Sequence, residues 1–295
     1  MSYVLDKDIM NRLKEHYAAV AAIIPKDRIL GLFLQGSQNY GMATEKSDVD
    51  TKCIIIPSFE DIVFNKPPIS TTHILPNDEH IDIKDIRLIF NNFRKQNINY
   101  IEILFTKYFI LNPQYKKFWN ELVEEREAIA KYNPYIAVKA IKGMAMDKYH
   151  ALEHPYPNKA AVLAQYGFDP KQLHHLVRLY YFLGDYIMGA KTYAEILKPI
   201  GKRKYDLLDL KNCGDPFKNE YPMSLAAARE LSKTYFDSII QLADIYCDFV
   251  MLKSNSDPYV DKLFDKIQTE IMKKAMKKDL RRKKMLNTKG QRELA

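Results

Sequence analysis

The chain has 295 residues, 45 Lys/Arg against 37 Asp/Glu, a net charge of +8, and 47% hydrophobic residues. That composition suits a soluble globular protein of about two domains and excludes collagenous, low-complexity and disordered chains. No apolar run nears the roughly 20 residues of a membrane-spanning helix, and the charged, amphipathic start MSYVLDKDIMNRLKEH does not read as a secretory signal. Three widely spaced cysteines, Cys53, Cys213 and Cys247, fit no metal or disulfide pattern, so a reduced, cytoplasmic protein is expected.

In chain order, Asp6–Ala22 carries Ile9, Leu13, Tyr17, Val20 and Ala21 at helical spacing, and Pro25 ends it. The stretch from Ile29 to Ile56, ILGLFLQGSQNYGMATEKSDVDTKCIII, reads as strand, glycine turn, polar loop and strand. Side chains alternate along a strand, so Asp48 and Asp50 point one way and Val49 the other. Two carboxylates at the edge of an apolar strand are costly unless neutralised. A hard divalent cation does this, because Mg²⁺ binds through one or two carboxylates plus substrate phosphates. Gly36 lets a backbone approach a ligand, and Ser37 offers a hydroxyl and an N–H beside it. The spacing suggests a phosphate cradle and metal ligands on neighbouring strands.

Ile69–Leu75 and Glu79–Lys84 read as two further strands, with Ile81 and Ile83 on one face and His80, Asp82 and Lys84 on the other. Asp85–Lys95 is an amphipathic helix; Asp85 suits the apolar strand face or the helix N-cap. The segment Asn97–Phe105 places Glu102 inside an apolar run, where a buried carboxylate calls for a cation; a solvent-facing helical glutamate is the alternative. Thr106–Leu111 reads as a strand, and Asn112-Pro113 closes a first domain.

Gly36-Ser37 followed by Asp48-x-Asp50 resembles the signature of the polymerase-β-like nucleotidyltransferase superfamily. The longer form GSQNYGMATEKSDVD resembles its branch of predicted nucleotidyltransferases linked to RNA repair, and Asn97-x-Asn99-x-x-Glu102-x-Leu104 resembles the segment that follows the third acid there. The resemblance implies that Asp48 and Asp50 bind Mg²⁺ (or Mn²⁺), with Asp82 as the third acid, and that Gly36, Ser37 and Ser47 hold the nucleotide. Two metals can stabilise both oxygens of an in-line displacement.

From Pro113 on, strand signals cease. Helices are expected at Pro113–Tyr132, Tyr135–Leu152, Lys159–Tyr166, Pro170–Met188, Tyr193–Pro199, Tyr205–Lys211, Ser224–Leu252 and Asp257–Met285, with breaks at Asn133-Pro134, His154-Pro-Tyr-Pro157, Gly189, Pro199-Ile-Gly201 and Gly214-Asp-Pro216. Lys159 opens a helix and is a candidate phosphate contact. His174 and Arg178 stand four apart on one helix face, resemble a His-x-x-x-Arg pattern of the family branch, and are candidates for a triphosphate or nucleic-acid backbone. Gly201-Lys-Arg-Lys204 reads as a basic loop.

Residues 271–295 hold ten Lys/Arg against Asp279 and Glu293, which accounts for the whole excess of +8. Such a tail is an electrostatic footprint for a polyanion, and Met272, Met276 and Leu280 give it a thin apolar stripe. The expected architecture is α+β: a small mixed-sheet catalytic domain (1–112), an all-α domain closing over the nucleotide (113–256) and a basic C-terminal helix (257–295). The expected reaction moves an NMP from an NTP to an acceptor hydroxyl, most plausibly of RNA such as a tRNA 3′ end. Transfer to a protein or small-molecule hydroxyl, and a non-catalytic nucleic-acid-binding module, are the alternatives.

Overall fold

The structure is a computed structural model that describes residues 6–44, 47–213, 222–250 and 256–293. Its first compact unit comprises residues 1–39, 43–132 and 256–295; its second comprises 40–42 and 133–255. The segment 113–132 and the C-terminal helix thus group with the sheet, not with the helices between them.

The first unit is built on a mixed five-stranded sheet of order β3-β4-β2-β1-β5. Its strands are β1 (Ile29–Gln35), β2 (Asp50–Ile55), β3 (Ser70–Ile74), β4 (His80–Asp85) and β5 (Phe109–Leu111). β2 pairs antiparallel with β1 and parallel with β4. Being central and covered on both faces, β1 is a continuous apolar run, and β3, at the edge, is polar and exposed. Helix α1 (Asp6–Ile23) lays Ile9, Leu13 and Val20 on one sheet face, against Leu32, Leu34, Cys53, Ile55, Ile81 and Ile83. On the other face Phe33 packs against Trp119, with ring centres 4.2 Å apart and planes tilted by 31°.

Asp85 takes the N-cap place, accepting from Arg87 N–H at 2.9 Å, and so starts helix α3 (Ile86–Arg94). Helix α2 (Phe59–Val63) lies between β2 and β3, and α3 is followed by α4 (Ile98–Ile101), α5 (Lys116–Glu124) and α6 (Arg126–Ala130). The expected single helix 113–132 is therefore broken, at Glu125. The last helix packs Phe264 on Phe90 and Phe93 of α3, at 5.7 and 5.8 Å.

The second unit is helical: α7 (Pro134–His150), α8 (Ala160–Tyr166), α9 (Pro170–Met188), α10 (Tyr193–Leu197), α11 (Gly201–Lys211) and α12 (Leu225–Val250). Local signals place α9: Asp169 caps its start, Pro170 occupies the first turn, and Gly189 at φ +67° ends it. The expected basic loop at Gly201–Lys204 is instead the first turn of α11. Lys202 pairs with Asp206 and Arg203 with Asp185, which offsets the poor placement of cations at a helix N-terminus. The predicted break at Gly214–Pro216 lies outside the described residues.

The C-terminal helix α13 (Pro258–Glu293) docks through a stripe one position removed from the one expected. Val260, Phe264, Ile267, Ile271 and Ala275 are buried, whereas Leu280 is 43% exposed. Farther along, Asp279 accepts from Phe59 N–H at 2.8 Å and Lys278 pairs with Asp27 at 3.1 Å. Among the described residues no helix is long and apolar enough to cross a membrane.

Candidate functional site

β1 ends in a turn in which Asn39 N–H donates to Gly36 C=O at 3.0 Å. Gly36 sits at φ +77°, a conformation an L-residue resists. Gln35 is the register partner of Asp50, so the turn lies against the start of β2. A Cβ on Gly36 would stand 3.6 Å from Asp50 Oδ2. Asp48 is exposed, Val49 buried and Asp50 half-buried, as the alternation predicts. Ser37 is half-buried in the same turn. The Ser47 hydroxyl accepts from Thr44 N–H at 2.8 Å, and its carbonyl accepts from Gln38 Nε2 at 3.3 Å, so Ser47 braces the loop that delivers Asp48.

Glu102 is 2% exposed, and Gly36 N–H donates to Glu102 Oε1 at 3.3 Å. Asn39 Nδ2 donates to the Glu102 carbonyl at 3.4 Å. A carboxylate from the segment after α4 thus holds the glycine turn through a charge-assisted hydrogen bond, which helps offset its desolvation.

The sheet face that carries Asp50 continues with Lys52, and across the parallel pairing Lys52 stands opposite Asp82. Lys52 is 1% exposed. Its ammonium lies 2.7 Å from Asp82 Oδ2 and 4.4 Å from the centre of the Tyr100 ring. Lys84 reaches Asp82 Oδ1 at 2.8 Å. Partial burial pushes the Asp82 pKa up, but the two ammonium groups outweigh it and hold the group below its ordinary range. Burial lowers the Lys52 pKa despite the attraction of Asp82. Asp82 therefore lies on the predicted face with each oxygen engaged by a lysine. His80, exposed on that face, has Nδ1 3.5 Å from Asp50 Oδ1. Lys52 escaped the sequence reading, although Asp48-x-Asp50-x-Lys52 continues the alternation by one step.

Among the described residues no three His, Cys, Asp or Glu side chains come together in a way that could hold a metal. What stands ready is the Asp48/Asp50 pair, all oxygen donors, beside a glycine turn. That fits a hard cation completed by phosphate oxygens and water, and does not fit a closed protein cage.

Behind β2 lies a polar cluster that the sequence reading missed. His16, fully buried, has Nδ1 2.9 Å from Thr51 Oγ1 and Nε2 2.8 Å from Glu79 Oε2. Arg12 also donates to Glu79 Oε2. Val49 N–H donates to Glu79 Oε1 at 3.1 Å. Burial raises the Glu79 pKa, but His16, Arg12 and the Val49 N–H together bring it below its ordinary range. The signal was a histidine sitting among Leu13 and Val20 on the buried stripe of α1.

The remaining candidates lie in the second unit. Lys159 pairs with Asp169 at 3.1 Å. His174, expected on a polar face, is 1% exposed, with Nδ1 2.6 Å from Leu207 C=O. Burial pushes its pKa down to about 3, so it is a neutral core histidine that ties α11 to α9. The Arg178 guanidinium lies 3.6 Å from the centre of the Tyr40 ring. Lys211 donates to Met42 C=O. Tyr40-Gly41-Met42, the middle of the predicted motif, is thus gripped by helices α9 and α11, with Gly41 at φ +68° making the bend.

No protein-family model matches the chain, and no curated protein matches it. Among solved structures, the chain is similar to a nucleotidyltransferase-like protein from Exiguobacterium sibiricum, at 11% identity over 90% of this chain and 80% of that one. The TM-score is 0.30, and a likeness of that size carries no inference about fold or chemistry.

Proposed function

We propose that the chain is a metal-dependent nucleotidyltransferase that moves an NMP from an NTP to an acceptor hydroxyl of RNA and releases pyrophosphate. The observation that carries this reading is the apposition of the Gly36 turn to Asp50, where a Cβ on Gly36 would stand 3.6 Å from Asp50 Oδ2, at the start of the strand that Asp48 leads into. Phosphate and cation are then held by adjacent strand ends, as transfer of a phosphoryl-type group requires.

In this reading Ser37 and the turn backbone hold the β- and γ-phosphates, and Glu102 fixes the shape of that turn. Asp48 and Asp50 hold Mg²⁺ or Mn²⁺, which supplies charge neutralisation at the phosphates when bound. The acceptor oxygen bonds to the α-phosphorus as the bond to the pyrophosphate oxygen breaks, and the hydroxyl proton leaves to solvent. Asp82, engaged by Lys52 and Lys84, acts as the counter-ion that keeps Lys52 on this face rather than as a third metal ligand. The exposed side of α13 supports a polyanionic acceptor: Lys273, Lys277 and Arg281 repeat every four residues and all are exposed. All three cysteines are free, which agrees with a role in the cytoplasm.

The test is transfer of radiolabel from the α-phosphate of each NTP, with Mg²⁺, onto total RNA and total protein, beside an Asp48→Ala/Asp50→Ala control. Label on RNA that disappears in the control supports the reading and names the nucleotide. Label on protein instead moves the acceptor to a protein hydroxyl. Transfer to neither, with RNA binding intact, leaves a nucleic-acid-binding module.

A further inference from the structure

We infer that Glu79, held by His16 and Arg12, is a positioning residue that sets the direction in which Asp48 and Asp50 present their carboxylates. This rests on the reading of those two acids as the cation site. The argument begins at the end of the sheet. The β1–β2 ladder stops at the pair Gln35–Asp50, and the β2–β4 ladder starts at Thr51–Ile81. Val49 lies one residue beyond the first ladder and two beyond the second. Its N–H donates to a side chain, Glu79 Oε1, instead of a strand. The direction of that N–H defines the peptide plane joining Asp48 to Val49, so whatever holds it also aims Asp48.

Two residues farther on, Thr51 is held from the same side by His16 Nδ1. Val49 and Thr51 are thus fastened behind the strand, 4% and 0% exposed. Alternation then sends Asp48 and Asp50 to the front. The fastening is polar where apolar packing would fill the same space. A buried ionic cluster is weak evidence for stability, because desolvation offsets its attraction; its use is geometric. Apolar side chains at these places would pack, but none would accept the Val49 N–H.

The chemistry of Glu79 is specific. Its Oε2 receives Arg12 and His16 while Oε1 receives Val49. Glu79→Gln is nearly the same shape but carries one NH₂. Placed at Oε2, that group faces two donors; turned over, it faces the Val49 N–H. Either orientation loses an acceptor where a donor points. Residues that orient metal ligands from outside the coordination sphere typically change metal affinity about 10–100-fold.

The experiment is Mn²⁺ binding followed by water-proton relaxation, on the full chain, for wild type, Glu79→Gln, Asp48→Ala/Asp50→Ala and Val20→Ala. Val20 is fully buried on the same helix and serves as the control for lost stability alone. The expected result is Mn²⁺ binding by wild type that the double variant abolishes, that Glu79→Gln weakens about tenfold or more, and that Val20→Ala leaves unchanged while folded by circular dichroism. Should Glu79→Gln not fold, His16→Gln carries the same expectation through the Thr51 side of the cluster. Wild-type affinity in a folded Glu79→Gln variant overturns the inference and leaves the proposed function standing. Equal weakening by Val20→Ala overturns it too, by making the effect one of stability. Absence of Mn²⁺ binding and of nucleotidyl transfer by wild type overturns both.

Discussion

The Lys52–Asp82 pair makes a quantitative prediction. Lys52 has 2% of its side chain exposed and Asp82 22%. Removing one partner of a fully buried ion pair costs about 3–5 kcal/mol, because the other charge is stranded. Asp82→Asn strands Lys52, but water reaches this side of the pair, so about 2–3 kcal/mol is expected. Lys52→Met keeps the aliphatic stem and leaves Asp82 with Lys84 and some solvent, so about 1 kcal/mol is expected. With both changes no stranded charge remains, and the double variant should lose only about 1–2 kcal/mol. The single losses then exceed the double loss by about 2 kcal/mol, within the range for residues in contact. Urea unfolding at neutral pH measures each loss from the midpoint, provided the slope is unchanged. Additivity within about 0.5 kcal/mol would refute the reasoning, since it would mean that the two charges do not depend on each other.

Other expectations follow from the same geometry. Gly36→Ala should lose about 1–2 kcal/mol of stability in urea unfolding; the methyl meets Asp50 Oδ2 at an ordinary 3.6 Å, so the strain comes from φ +77° and not from crowding. His174 has its folded pKa lowered from 6.5 to about 3 by burial, so the unfolded chain binds the extra proton. Its contribution is complete above pH 6.5 and is lost as pH falls toward 3, with a slope approaching about 1.4 kcal/mol per pH unit; His174→Gln should flatten that part of the curve of urea midpoint against pH. Glu79 and Asp82 also have lowered pKa values, so their stabilisation is present above the ordinary carboxylate range and is lost in acid below it. Replacing Lys273, Lys277 and Arg281 together by Gln should weaken binding of single-stranded RNA across sequences and reduce the slope of log affinity against log salt by about 2, at roughly 0.7 per phosphate contact.

Particular elements show why some of this was legible in the residues and some was not. The strand–turn–strand at Ile29–Ile56 could be read because glycine, alternation and apolar runs act over a few residues. The same holds for α9, whose Asp169, Pro170 and Gly189 are all local signals. The faces of β4 followed from period two alone. The burial of Val49 between exposed Asp48 and half-buried Asp50 followed the same period.

What came from packing involves residues distant in the chain. Glu79 meets His16 across 63 positions, and Glu102 meets Gly36 across 66. Lys52 finds Asp82 because β2 and β4 run parallel in one particular register, which periodicity does not specify. His174 shares a helical face with Arg178 by spacing, yet the arrival of Leu207 from α11 buries it and removes its charge. In α13 the apolar positions offered two stripes a residue apart, and the surface beneath chose Ile271 and Ala275 over Met272 and Met276. Propensity and periodicity act within one turn or one strand, so the amino-acid order alone specified the elements and which residues of β4 face the core. Burial, ionisation and the bonds that aim those acids depend on which distant surfaces meet, and the folded chain alone settles that.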